Sequence, residues 1–308
     1  MGYAVVPPAG RENREALANA RWQQILAAKP ELGAAVALQR SLIRLVDALS
    51  ATFGDRGVPR LSLPPGYLTA KLRSGIPALT GEPVQLPVET IRPTLVALCR
   101  ALAEGGGGDA TLQIRAAVDE HRLDIGALLT LALRREQGAL RVAATRAGLR
   151  HDLLWLVADL AVSPFVHVLL ERLFDAADPA SPLGVALAQW TRGYCPLCGS
   201  WPGVIEQTDG RQLLRCGLCA AAWDAPAAIC IYCGESGERL STIVPDPARP
   251  ERSAHTCAAC RGYTKTLPVD RLTPFPLLAL ADLDSMDLDL AAMSAGCARP
   301  ALKQFTRR

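Results

Sequence analysis

The sequence predicts an α+β protein, with a mostly α-helical N-terminal domain followed by two metal knuckle modules built on short β-hairpins. Three observations carry this. Apolar residues recur at the helical period through the first two thirds of the 308-residue chain. After Trp190 the texture changes to short runs punctuated by glycine and proline. Eight of the ten cysteines fall as four C-x-x-C pairs between Cys195 and Cys260, while Cys99 and Cys297 stand alone.

The helical part is read from about Asn13 to Trp190. Leu38, Leu42, Leu45, Val46 and Leu49 share one helix face, as do Ile91, Leu95, Leu98 and Leu102. Breaks are expected in the stretch Gly54 to Pro87 and at the four glycines Gly105 to Gly108, with Asp109 placed as an N-cap. Cys99 lies beside Leu95 and Leu98 on an apolar face and reads as a small buried hydrophobe. The most apolar segment, Leu153 to Leu170, is interrupted by Asp159, Ser163, Pro164 and His167. A membrane span needs about 20 predominantly apolar residues, so we read a buried helix broken near Pro164, with no membrane insertion. Residues 1–10 lack a basic region followed by an apolar run, which leaves the cytoplasm as the expected compartment.

The cysteine pairs carry the chemistry. C-P-L-C-G at Cys195 to Gly199 is followed by the runs Gly203 to Thr208 and Arg211 to Arg215, joined by Asp209-Gly210, and then by C-G-L-C at Cys216 to Cys219. Asp-Gly between two short runs is a hairpin signal, because the turn matched to strand twist needs positive φ at its central residues. Folding that hairpin brings both pairs to one end, as in a zinc ribbon or a rubredoxin-like knuckle pair. A second copy follows, with C-I-Y-C-G at Cys230 to Gly234, a strand over Leu240 to Val244, a proline-containing loop Pro245 to Pro250, and C-A-A-C at Cys257 to Cys260. The longer gap costs little, since loop-closure entropy grows slowly with length. Hairpin continuity places Cys195, Cys198, Cys216 and Cys219 in site one and Cys230, Cys233, Cys257 and Cys260 in site two. The interleaved grouping, first pair with third and second with fourth, remains open on the spacing alone. His255 lies two residues before Cys257, but eight cysteines already close two sites, so it is not expected to be a ligand. Trp223 and Tyr263 each follow a second knuckle and either cover the metal sites or pack in the core.

Paired cysteines in a reducing compartment point to metal ligation ahead of a disulfide framework. A thioredoxin-type dithiol needs a cysteine opening a helix after a strand, and none of the four pairs has that setting. Soft thiolates suit zinc and iron. Four of them close the coordination sphere and leave no position for a reacting water, so Lewis-acid hydrolysis is not expected. Metal binding at such sites is worth about 10–16 kcal/mol, comparable with the whole stability of a domain at about 5–15 kcal/mol, so holding the module together is a sufficient role in itself. Charge opposes a nucleic-acid partner. Residues 191–270 carry eight basic and eight acidic side chains, and two tetrathiolate sites of formal charge about −2 each make the module net negative, the wrong sign for a phosphate-driven interface.

The run W-T-R-G-Y-C-P-L-C-G-S-W-P (Trp190 to Pro202), followed by D-G, C-G-L-C, Trp223, C-I-Y-C and C-A-A-C-R-G-Y-T-K, resembles the FdhE family of formate dehydrogenase accessory proteins. Upstream, S-P-F in the apolar helix (Ser163 to Phe165) is similar to the family, and so is the acidic segment Asp282 to Leu290. The resemblance implies a cytoplasmic, non-catalytic maturation chaperone that engages the catalytic subunit of a respiratory formate dehydrogenase. It also implies rubredoxin-like centres at the eight paired cysteines, and tips the two metal ions per chain toward iron, with zinc the other ion the thiolates accept. Two departures stand out: Gln212-Leu213 replace an Arg-Tyr pair, and Ala227 replaces an Arg. The expected organisation is a helical domain over 1–189, modules over 190–228 and 229–270, and an acidic helical segment over 271–308 whose carboxylates form a solvated face. A rubredoxin-like electron carrier is the alternative outside the assembly-factor class, with a zinc-ribbon nucleic-acid binder behind it.

Overall fold

The computed structural model describes residues 2–56, 61 and 63–302. Met1, residues 57–60 and 62 of the expected Gly54 to Pro87 break, and residues 303–308 lie outside the described residues. The chain opens with strand β1 (Tyr3–Ala4) and continues into helices α1 (Arg11–Ala28), α2 (Gly33–Arg56), α3 (Pro65–Arg73), α4 (Val88–Leu102), α5 (Gly108–Asp119), α6 (Ile125–Leu133), α7 (Gln137–Arg146), α8 (His151–Leu170) and α9 (Pro182–Ala188). Short strands follow: β2 (Pro202–Thr208), β3 (Arg211–Cys216), β4 (Ala222–Asp224), β5 (Leu240–Ile243), β6 (Ser253–Cys257) and β7 (Tyr263–Pro268). Helices α10 (Leu278–Asp284) and α11 (Met286–Ser294) come last.

Helix α8 is the centre of the helical part and packs against α2, α4, α6 and α7. Together with the π-helical turn after it, α8 is long and apolar enough by length and composition to cross a bilayer. Leu154, Val157, Ala158, Ala161, Val162, Phe165 and Val166 on it are fully buried within the protein, and its Asp159 pairs with Arg135 of the α6–α7 turn. The helix is not broken at Pro164. A proline inside a helix removes one N–H and orphans the carbonyl four residues earlier, here that of Leu160. The Ser163 hydroxyl donates to that carbonyl at 3.0 Å, so the backbone stays satisfied and the helix runs on. Helix α5 begins at Gly108 without a side-chain cap, and Asp109 sits in its first turn instead of capping it. Side-chain caps are found where Asp124 accepts from Ala127 N and Ser181 from Gly184 N. Cys99 is fully buried in the main core, as its helix face predicts.

Among the described residues the strands form one sheet in the order β1-β4-β3-β2-β7-β6-β5. Asp209 and Gly210 both take positive φ, +48° and +72°, and close the β2–β3 hairpin as their sequence predicts. Each cysteine-pair unit contributes three antiparallel strands, β2-β3-β4 and β5-β6-β7. The two units join through parallel pairing of β2 with β7, Ile205 opposite Thr266. β1 adds to the outer edge of β4. The sequence reading had none of β1, β4, β6 and β7.

Helices α10 and α11 cover one face of the second unit, packing Leu278, Ala281, Leu288 and Ala292 on Val204, Ala254, Tyr263 and Leu267. The acidic segment is not a solvated face. Fully buried Lys265 bonds Asp282 and Asp289, each at 2.7 Å. Arg299 meets the same two carboxylates, and Asp287 receives Lys29 and Arg252. Burial acts to raise the Asp282 pKa, but Arg299 and Lys265 outweigh it and hold that carboxyl below its ordinary value. The carboxylates therefore tie the last helices to the sheet and to α1.

The Ser163 device predicts a stability cycle. Ser163→Ala leaves a buried carbonyl without a donor and should cost about 1–3 kcal/mol in urea unfolding. Adding Pro164→Ala restores the backbone N–H opposite Leu160 and should recover part of that loss, whereas strictly additive effects would rule the device out.

Candidate metal centre

All four C-x-x-C pairs fold into one local shape. The N–H four residues after the first cysteine returns to that cysteine's carbonyl: Gly199 to Cys195, Ala220 to Cys216, Gly234 to Cys230 and Arg261 to Cys257, at 2.9–3.0 Å. The first cysteine's own N–H reaches the carbonyl five residues on, at Ser200, Ala221, Glu235 and Gly262. The residue after each second cysteine must take positive φ. Glycine does so freely at 199 and 234, whereas Ala220 (+62°) and Arg261 (+58°) take it against a β-carbon penalty of about 1–2 kcal/mol each. The turn leaves backbone amides aimed at sulfur. Burial raises the Cys230 thiol overall, against the amides of Cys233 and Tyr232 that favour its thiolate, whereas at Cys257 burial is outweighed by the amides of Cys260 and Ala259 together with neighbouring sulfurs, and the thiol falls below its ordinary value.

The hairpins bring the sulfurs together sequentially and not in the interleaved order. Cys195, Cys198, Cys216 and Cys219 form one group and Cys230, Cys233, Cys257 and Cys260 the other, with all ligand atoms in a group within 4.8 Å of one another. Sγ–Sγ separations are 3.6 Å for Cys195–Cys219, 3.5 Å for Cys198–Cys216, 3.6 Å for Cys230–Cys260 and 3.7 Å for Cys233–Cys257. A tetrahedral ion with metal–sulfur bonds of about 2.3 Å needs edges of about 3.8 Å, so each group can hold one metal ion with little rearrangement. Burial distinguishes the two. All four cysteines of site one are buried, whereas Cys233 and Cys260 of site two are exposed.

Site one is embedded in the helical part. Its cysteines belong to the same apolar core as α4, α6 and α8. Ala78 N and Leu79 N donate to the carbonyls of Pro196 and Leu197 in the first knuckle. Tyr194 Oη donates to Gly75 O at 2.7 Å, and His167 Nδ1 to Cys219 O at 2.9 Å. Trp223 is fully buried against the site, with its indole N–H on Arg192 O.

No family model matches the chain. Protein FdhE of Escherichia coli O127:H6 (strain E2348/69 / EPEC) is 33% identical over 149 residues, 46% of this chain and 47% of that protein. The Protein FdhE homolog of Aquifex aeolicus (strain VF5) is 29% identical over 113 residues, 35% of this chain and 40% of that protein. The crystal structure of the FdhE protein from Pseudomonas aeruginosa superposes over 99% of this chain and 98% of that one, with a TM-score of 0.59 and 23% identity. The chain is similar in sequence to FdhE proteins over its matched part and shares the fold of one of them. Its match spans less than half the length of the two curated relatives, while the fold is shared from end to end.

Two buried guanidinium groups with no part in the sequence-based expectation lie at site one. Arg215 has no exposed surface, forms an ion pair with equally buried Glu206, and reaches the carbonyls of Ala220 and Thr273. Arg135 pairs with Asp159, and its charge helps draw Cys198 down. Burial pushes the thiols of Cys195 and Cys219 well up. At Cys198 burial acts in the same direction, but the other three sulfhydryls and Arg135 outweigh it and leave the thiol well below its ordinary value. Arg215 had a sequence signal, since it immediately precedes a ligand. Arg135 had none. His255 is held through both ring nitrogens by Thr242 and Thr266, at 3.1 and 2.8 Å, and is not among the grouped ligands. Gln212 and Ala227, two of the departures from the family pattern, line a cavity beside site two.

These differences predict the order of metal loss. A chromogenic chelator should empty site two, with its exposed sulfurs, in a fast phase and site one in a slow one. Protons compete for thiolates, so retention should fall as pH falls. A single phase, or faster loss from a protein whose site two is already removed by Cys230→Ser, would contradict the asymmetry.

Proposed function

We propose that this protein is a cytoplasmic, non-catalytic accessory factor in formate dehydrogenase maturation, that it binds the enzyme's catalytic subunit, and that it carries one iron ion in each four-cysteine site. The observation that carries the proposal is the pair of closed four-sulfur groups set on a fold shared over its full length with an FdhE protein. Four thiolates about one ion leave no open position, which argues against hydrolysis at either site. Iron held this way supplies a rigid cross-link and a one-electron couple. Cys195, Cys198, Cys216 and Cys219 would hold one ion, and Cys230, Cys233, Cys257 and Cys260 the other.

One observation favours a second reading, that of a rubredoxin-like electron carrier: Cys233 and Cys260 place site two at the surface, within reach of a redox partner. The assembly role accounts for more of the molecule. A carrier has no use for the helical part that occupies the first 190 residues, whereas a protein that holds an immature subunit gains surface from it. Balanced charge over residues 191–270 speaks against a nucleic-acid partner.

Replacing Cys195 or Cys230 with serine removes a charged soft ligand, because the hydroxyl is not ionised near neutral pH. Either variant should lose metal, bind the catalytic subunit more weakly and lower formate dehydrogenase activity in cells, while far-UV circular dichroism keeps its helical signal. Normal subunit association and normal enzyme maturation after verified loss of both metals would make the sites dispensable and move the binding surface to the helices.

A further inference from the structure

Beside site two lies a cavity of about 420 Å³. Its floor is the face of β5, β6 and β7 turned away from α10 and α11, and residues 225–231 form its far wall. Ile205, Ile229, Ile231 and Leu240 supply apolar surface, and the ligands Cys230 and Cys257 border it. No Asp, Glu, Lys or Arg lines it. Apart from the two cysteines, its polar side chains carry no carboxylate, ammonium or guanidinium: Thr242, His255 and Thr264 line it, and His255 bonds both Thr242 and Thr266. The Thr264 hydroxyl is buried without a hydrogen bond of normal geometry, against a Tyr232 hydroxyl already committed to the Tyr263 carbonyl.

The adjoining strand β5 is the sheet's last, and among the described residues no strand pairs with its outer edge. The tandem construction of the sheet indicates what fits there. β2 follows the first knuckle of unit one as β5 follows the first knuckle of unit two. The outer edge of β2 is filled by β7, an extended segment running parallel to it.

We propose that the cavity and the free edge of β5 together dock an extended, uncharged peptide segment of the client subunit, laid parallel to β5 with a side chain in the cavity against site two. The assignment rests on the accessory-factor reading. Charged metabolites and nucleotides are disfavoured, since a buried charge without a partner is costly. A peptide backbone answers the unpaired N–H and C=O groups of the strand edge, and a neutral side chain suits the apolar wall and the Thr264 hydroxyl. Contact with the Cys230 and Cys257 knuckles makes a loaded site two part of the docking surface.

Two variants test this. Ile229→Asp puts a charge on the exposed rim of the cavity, and Thr264→Val removes a hydroxyl that contributes little in the free protein. The probe is the cofactor-free catalytic subunit of the same organism's formate dehydrogenase, titrated against full-length protein of measured metal content, with light scattering on the free protein. Wild-type protein should bind. Ile229→Asp should weaken binding by about tenfold or more and Thr264→Val by about threefold to tenfold, as expected for a lost buried hydrogen bond, with helicity and metal content unchanged. Undiminished affinity in both variants would overturn the docking site and leave the accessory role standing. Failure of the wild-type protein to bind the subunit at all would overturn the accessory role and the site with it. A homodimer abolished by the same substitutions would replace the client peptide with a second copy of this chain.

Discussion

The four sulfurs of site one are the constraint on which the rest of the structure depends. They gather the two ends of the β2–β3 hairpin, and they lie in the same buried cluster as the helices around α8. Four separate stretches converge on them: the turn at residues 75–79, His167 of α8, the Trp190–Tyr194 approach, and the hairpin itself. A core that includes thiolates cannot be packed by apolar contact alone, because four buried negative charges without an ion repel one another strongly. A tetrahedral divalent ion would reduce the formal charge to about −2, and the buried guanidinium groups of Arg135 and Arg215 lie close enough to interact electrostatically with the sulfurs. Each of those cations has its own carboxylate, Asp159 and Glu206. With an ion bound, metal, sulfur, guanidinium and carboxylate would form one network, and removing one member would leave a buried charge exposed to the full desolvation cost.

Site two uses the same turn chemistry in a different setting. It has no helical bundle over it, half of its cysteines are exposed, and its stability is supplemented by the ion-paired helices α10 and α11 on the far face of the sheet. The two sites are nonetheless mechanically joined. Gly193, just before the first knuckle, packs so closely on the Ile231 carbonyl of the third that a β-carbon there would overlap it. Edge-to-face aromatic contacts run from Trp190 through Tyr194 and Trp201 to Tyr232, with ring centroids 5.6, 5.9 and 5.0 Å apart. Rigid aromatic packing of this kind couples the position of one knuckle to the other, while the cysteines of site one are buried and two of site two are exposed.

Local chemistry was legible in the sequence and long-range chemistry was not. The cysteine spacing, the Asp209-Gly210 turn and the apolar faces of α2 and α4 each act over a few residues, and all of them appear where the sequence places them. The sequential grouping of the cysteines followed from hairpin continuity. The parallel pairing of β2 with β7 joins segments about 60 residues apart, and β1 reaches β4 across the whole helical part. Such pairings leave no short-range signature. Pro164 misled because the compensating donor was its own neighbour, Ser163, and only the coordinates show the hydroxyl turned inward. The acidic stretch Asp282 to Asp289 misled for the opposite reason. Its partners Lys29, Arg252, Lys265 and Arg299 are scattered along the chain, so the segment looks solvated until the fold assembles them.

Hydrogen exchange on metal-loaded and metal-free protein tests most directly whether site one organises the molecule. Removal of metal should strip protection from residues 194–224 and from the docking turn at 75–79, while amides inside α8 remain protected. Unchanged protection across β2, β3 and the 75–79 turn in a protein shown to hold no metal would contradict the account, since the sheet and its attachment to the helices would then stand without the ion.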